Sequence, residues 1–111
     1  QVLNDVLKDN DLSVEEAPKI DRILRTFVNL CCSNEDLNTP NSKNQTIFRN
    51  LNTHEEILRI LRLPYAEHCH GIFKLCYLFL RQFAMKNSIN QSLLFPYVEF
   101  MLSQMGYKLN I

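Results

Sequence analysis

An all-α fold follows from three features of this sequence. One segment is apolar on most of its circumference at helical spacing, other segments carry apolar stripes of period 3.6, and no period-two run is long enough for a strand. The segment is Gly71 to Lys86, GIFKLCYLFLRQFAMK. Ile72, Leu75, Cys76, Phe79 and Phe83 form one stripe, Phe73, Tyr77 and Leu80 widen it, and Lys74 and Arg81 mark a narrow wet strip. A helix so apolar needs neighbours on several sides, which makes it the expected centre of the core. Its uninterrupted apolar run, Leu75 to Leu80, is far shorter than the roughly 18 residues a membrane span requires.

The remaining elements follow in chain order. Val2, Leu3, Val6 and Leu7 give a short stripe ending at Lys8, with Asn10 and Asp11 as breakers, and Ser13 with Glu16 has the form of a capping box. Ile20, Ile23, Leu24, Phe27, Val28 and Cys31 then define an amphipathic helix, with Lys19, Asp21, Arg22 and Arg25 off the stripe. Pro18 would remove a backbone bond if that helix ran unbroken from Val14. Ser33 to Asn44, SNEDLNTPNSKN, is polar and aperiodic and carries Pro40, so it is expected to be one long exposed loop. Gln45 to Leu51 is expected to add a short helix with Ile47, Phe48 and Leu51 inward.

Thr53 with Glu56 forms a second capping box, opening a helix with Ile57, Leu58, Ile60 and Leu61 buried, Arg59 and Arg62 toward water, and Pro64 as its stop. Tyr65 to His70 leads into the central helix, which ends near Asn87. Ser88 with Gln91 is a third capping box, for a helix through Leu93 and Leu94. Pro96 fits the first turn of a last helix that carries Val98, Met101, Leu102 and Met105 and stops at Gly106.

At 111 residues the chain is one domain or part of one. Hydrophobic residues at 46%, with two glycines and four prolines, describe a globular helical chain rather than a disordered one. The chain begins at Gln1, as a segment of a longer protein would. Four cysteines, two of them adjacent, lack the density of a secreted scaffold and favour a reducing, cytosolic setting. Twelve basic residues balance twelve acidic ones, which argues against nucleic acid as a partner. The balance is uneven along the chain: residues 1–36 carry eight acids and four bases, and residues 43–111 carry four acids and eight bases. Complementary faces within one domain account for this, and a basic surface that meets an anionic partner is the alternative.

His68, Cys69 and His70, followed by Cys76, are the one cluster of metal-ligand types. Adjacent side chains diverge, and zinc sites draw paired ligands from two separated segments, so no metal is expected and Cys76 is assigned to the core. No nucleophile is set within a recognisable His and acid pattern, so neither catalytic residues nor enzyme activity is expected. With Gly71 and Gly106 as its two glycines, the chain has no phosphate-cradling loop, and no cofactor is expected.

FRNLNTHEEILRILRLPY, GIFKLCYLFLRQF, NQSLLF and SQMGY resemble, in order and spacing, the RIH domain of the inositol trisphosphate and ryanodine receptors, the intracellular calcium-release channels. LKDNDLSVEEAPKIDRILRTFV and TPNSKNQTIFRN extend the likeness over nearly the whole chain, toward the N-terminal copy of that domain, while PY and NQSLL are also similar to the middle copy. The resemblance implies an armadillo-like helical repeat, an α-solenoid fragment, lying at the cytoplasmic face of the endoplasmic or sarcoplasmic reticulum within a tetrameric channel. Its implied partners are a β-trefoil and further helical domains of the same channel, without direct membrane contact. In the family the cleft beside the β-trefoil binds inositol trisphosphate through Arg, Lys and Tyr. Carried across by position, Arg49 matches a basic residue, whereas Ser42 and Thr46 replace basic residues and Asn87, Ser88 and Ile89 replace a Tyr-Arg-Lys run. A trisphosphate needs several charge-assisted contacts, so one arginine supplies little of the affinity. The expected role is therefore coupling ligand-sensing domains to the pore, with a protein-interaction scaffold lacking a channel as the alternative.

Overall fold

In the computed structural model, residues 14–64 and 66–104 are described. Helix α1 spans Ala17–Leu30, strands β1 and β2 span Cys32–Ser33 and Asp36–Pro40, α2 spans Ser42–Asn50 and α3 spans Thr53–Leu61. A 3-10 turn at Glu67–Cys69 leads into α4, His70–Ala84; then come α5, Ser88–Leu94, a second 3-10 turn at Phe95–Tyr97, and α6, Val98–Gln104. Among the described residues the chain is mostly helical, with one small two-stranded sheet.

Helix α4 is the centre. Ile72, Phe73, Leu75, Cys76, Tyr77, Phe79, Leu80 and Phe83 are all buried, and Lys74 and Arg81 are exposed, so both the greasy circumference and the wet strip are where the sequence places them. Helix α1 packs along it through Ile20, Leu24 and Val28, and Pro18 sits in its first turn, where a missing N–H breaks no helical bond. Ile57, Leu58, Ile60 and Leu61 of α3 close another side. Rings link the elements: Phe48 lies 5.1 Å from Phe27 and 5.2 Å from Phe79, and Phe79 stacks 5.8 Å from Phe83.

The polar stretch from Ser33 to Asn44 is not a featureless loop. Most of it is exposed, as expected, but it holds an antiparallel hairpin pairing Cys32 with Pro40 and Ser33 with Asp36, with an irregularity between the two pairs. Asn34 and Glu35 form its two-residue turn with φ of 56° and 59°, the sign pattern of a type I′ turn. Short exposed strands carry no hydrophobic alternation, and an Asn-Glu turn lacks the usual glycine, so periodicity is blind to this element.

Helix α2 begins inside the same polar stretch, three residues earlier than expected, because Asn41 caps it by accepting from the Asn44 N–H at 3.1 Å. The earlier start comes with a different inner face: Gln45 and Phe48 are buried, while Ile47 and Leu51 are 45% and 63% exposed. The Thr53–Glu56 capping box does not form. Asn52, with φ of 57°, precedes the helix without a side-chain cap, Thr53 is buried in the first turn, and Glu56 pairs with Arg59 at 3.2 Å. Capping before α5 is displaced by one residue, since Asn87 rather than Ser88 accepts from the Asn90 N–H at 3.0 Å. In α6 Met101 packs against the core and Gln104 is buried, whereas Val98 is exposed and Leu102 is 64% exposed. The stripe at residues 2–7, Ser13, Met105 and Gly106 lie outside the described residues.

Candidate functional site

The site is where the end of α4 meets α2 and α5. A helix leaves its last carbonyls without intrahelical partners. Here amide side chains supply the donors. Gln45 Nε2 donates to the carbonyls of Gln82 at 2.7 Å and Met85 at 2.9 Å, Asn90 Nδ2 donates to that of Phe83 at 2.8 Å, and Gln91 Nε2 donates to that of Ala84 at 3.0 Å. Lys86, with φ of 52°, turns the chain so that α5 can return these groups to the helix it follows.

The amides also bind one another. Asn87 Nδ2 donates to Gln45 Oε1 at 3.1 Å, and Asn90 Nδ2 reaches the Gln45 carbonyl at 3.3 Å. Gln82 extends the set to the hairpin, donating from Nε2 to the Leu37 carbonyl at 2.8 Å while its Oε1 accepts from Arg81. The clamp ties α2, α4, α5 and β2 together chiefly through neutral amides and backbone carbonyls.

Arg49 belongs to this clamp. It is half-buried, and its guanidinium donates to Asn90 Oδ1 at 3.0 Å, a neutral amide that leaves the positive charge uncancelled. Hydrogen bonds hold the 42–49 and 87–90 segments together. Their chemistry differs from a phosphate site. Ser42, Ser88 and Ile89 are exposed and uncharged, Thr46 Oγ1 donates to the Ser42 carbonyl at 3.0 Å, and Asn87 is committed to capping and to Gln45.

The His68–Cys76 segment spreads its side chains over different environments. His68 is exposed, His70 is half-buried, and Cys69 and Cys76 are buried. Among the described residues, no group of three or more His, Cys, Asp or Glu is placed to hold a metal ion. Burial pushes the Cys76 thiol well up, and burial together with the neighbouring Cys32 pushes Cys31 up to about 12. Both are protonated at neutral pH and suit packing rather than nucleophilic attack.

A second polar link joins α6 to the body. Tyr77 Oη donates to Gln104 Oε1, and Gln104 Nε2 donates to the Leu61 carbonyl at 2.7 Å. Burial, with Cys76 beside it, pushes the Tyr77 hydroxyl up to about 12. Arg62 lies over the Tyr97 ring at 5.5 Å. Gln45, Gln82, Asn90 and Gln104 all escape a reading based on hydrophobic stripes, because that reading assigns amides to the surface. Their one available signal is position, since Gln45 and Gln82 stand three and one residues from buried phenylalanines.

Among the described residues no helix is long and apolar enough to cross a membrane. No protein-family model matches the chain, and comparison with curated proteins and with solved structures finds no significant similarity.

Proposed function

We propose that this chain is an armadillo-like, RIH-type helical domain of an intracellular calcium-release channel, whose role is to pass rearrangements from ligand-sensing domains toward the pore. Its place would be the cytoplasmic face of the endoplasmic or sarcoplasmic reticulum, within a tetrameric parent, beside a β-trefoil and further helical domains. The observation that carries this reading is the amide clamp. It holds the two segments at which the resemblance implies ligand contacts as one unit, and it engages Arg49, their matching basic residue, in an intramolecular bond. A joint of this kind suits transmission of force better than capture of a trisphosphate, which draws its affinity from several converging cations.

An interaction scaffold outside any channel is the second reading. It is favoured by the apolar side chains left open at the end of the described chain, with Phe95 76% exposed and Val98, Phe100 and Leu102 exposed near it. Calcium release from microsomes that contain the full-length parent separates the two. Release that is lost in Asn90→Leu, with the protein still membrane-bound and tetrameric, is the expected result. A full-length parent recovered away from membranes, with no calcium flux, would leave the scaffold. Calorimetry with inositol trisphosphate on a protein that includes the β-trefoil neighbour is expected to show no measurable heat. A micromolar or tighter constant that disappears in Arg49→Gln would establish ligand binding at this site.

A further inference from the structure

The hairpin carries a feature that the clamp does not use. Thr39-Pro40 is the one Ser/Thr-Pro dipeptide in the chain. Pro40 disfavours helical backbone at the residue before it, so Thr39 is held extended in β2. Asp36, Leu37, Asn38 and Thr39 are all exposed. A solvent-facing Thr followed directly by a proline is the residue pair that proline-directed protein kinases select.

The hydroxyl of Thr39 has a structural task. Its Oγ1 donates to Asp36 Oδ2 at 2.8 Å, while Asp36 Oδ1 accepts from the Asn38 N–H at 3.0 Å. These bonds, the Asn38 amide foremost, hold the Asp36 carboxyl below its ordinary value, so it is anionic at neutral pH. They close the strand end of a turn that is otherwise unfavourable, because Asn34 and Glu35 both occupy left-handed backbone. The hairpin is moored at two further points, by Gln82 Nε2 to the Leu37 carbonyl at 2.8 Å and by the Asn41 N–H to the Cys31 carbonyl at 2.8 Å.

We propose that Thr39 is a phosphorylation site for a proline-directed protein kinase, and that the phosphate releases the hairpin from α4. In the transfer, the bond from the terminal phosphorus of ATP to its bridging oxygen breaks, a bond to Thr39 Oγ1 forms, the hydroxyl proton passes to the kinase's base, and ADP leaves. The product has lost the donor that Asp36 accepted, and it sets a phosphate of nearly two negative charges against that carboxylate. Repulsion there works against the turn and loosens the Leu37–Gln82 mooring, which connects the hairpin to the clamp. Cys32, buried in β1, becomes reachable when the hairpin opens.

The test uses the full chain, a purified mitogen-activated protein kinase and ATP, read by intact mass and peptide mapping. One phosphate on Thr39 is expected, absent in Thr39→Val and slowed by at least about tenfold in Pro40→Ala, a difference of about 1.4 kcal/mol in the transfer barrier. No incorporation, or incorporation only at other residues, overturns the site. Alkylation of Cys32 by a maleimide reads the release. The phosphorylated chain is expected to react about tenfold faster than the unmodified one, which corresponds to about 1.4 kcal/mol in the opening equilibrium. In Asp36→Asn most of the increase on phosphorylation is expected to disappear, because the opposing charge is gone and only the loss of the Thr39 donor remains. Equal rates in the wild-type pair overturn the release, and an increase that persists in full in Asp36→Asn overturns its electrostatic cause.

Discussion

Gln45→Leu removes the centre of the amide clamp while keeping a side chain of similar reach. Gln45 is 1% exposed, and its Nε2 is the donor to the carbonyls of Gln82 and Met85, while its Oε1 takes the Asn87 amide. Leucine can neither donate nor accept, so two carbonyls at the end of α4 and one amide donor lose their partner at once. A buried polar group left unpaired costs about 1–3 kcal/mol. Asn87 is half-buried and can turn to water, so the two carbonyls dominate. Offset by the gain from burying an apolar side chain, the loss is about 2–4 kcal/mol, which lowers the midpoint of thermal unfolding by about 8–16 °C for a domain of this size. Thermal melts followed by circular dichroism, with urea titrations at constant slope, measure it. Thr46→Val, one residue away with a hydroxyl that bonds only within its own helix, is the control and should stay within about 0.5 kcal/mol. A Gln45→Leu protein as stable as wild type would refute the reasoning, because it would mean that the α4 carbonyls reach water and that the amides only decorate the joint.

Three further outcomes follow from the geometry. Phe79→Ala, at a fully buried ring within 6.0 Å of Phe27 and 5.2 Å of Phe48, should cost about 3–5 kcal/mol in urea denaturation, whereas Lys74→Ala on the exposed strip of the same helix should change little. Glu35→Gly relieves a left-handed residue in the hairpin turn and should raise stability by about 0.5–1 kcal/mol, while Glu35→Ala, which keeps a Cβ, should not. His54 is 4% exposed, stacks 5.2 Å from Phe83 and has no partner for Nδ1 among the described residues; burial lowers its pKa from 6.5, against the opposing charge of Glu55. The unfolded chain therefore binds this proton more readily than the folded one, so the histidine's contribution is intact above 6.5 and is lost as pH falls below it. Urea midpoints should drop between about pH 7 and pH 5, and His54→Phe, which keeps the stack without the charge, should flatten that slope.

The greasy segment around α4 needed no tertiary information. Its residues are apolar on nearly every side, water is excluded from such a surface wherever neighbours exist, and the two charged positions seven apart could face only one way. The stripes of α1 and α3 were legible for the same reason, since the hydrophobic effect acts on each helix before any particular partner is chosen. Tertiary structure decided what depends on where a donor meets an acceptor. Gln45 is buried and Ile47 exposed because the open carbonyls at the end of α4 lie on the Gln45 side of α2, where two buried carbonyls would otherwise go unpaired. Asn90, Gln82 and Gln104 are interior for the same reason, each facing a carbonyl that belongs to another element or to a helix end. The hairpin at Cys32–Pro40 was invisible because it is held by a carboxylate bond beside its turn and a mooring to Gln82, neither of which leaves a period in the chain. Apolar periodicity is a property of one helix, whereas satisfaction of polar groups belongs to pairs of elements that only the fold brings together.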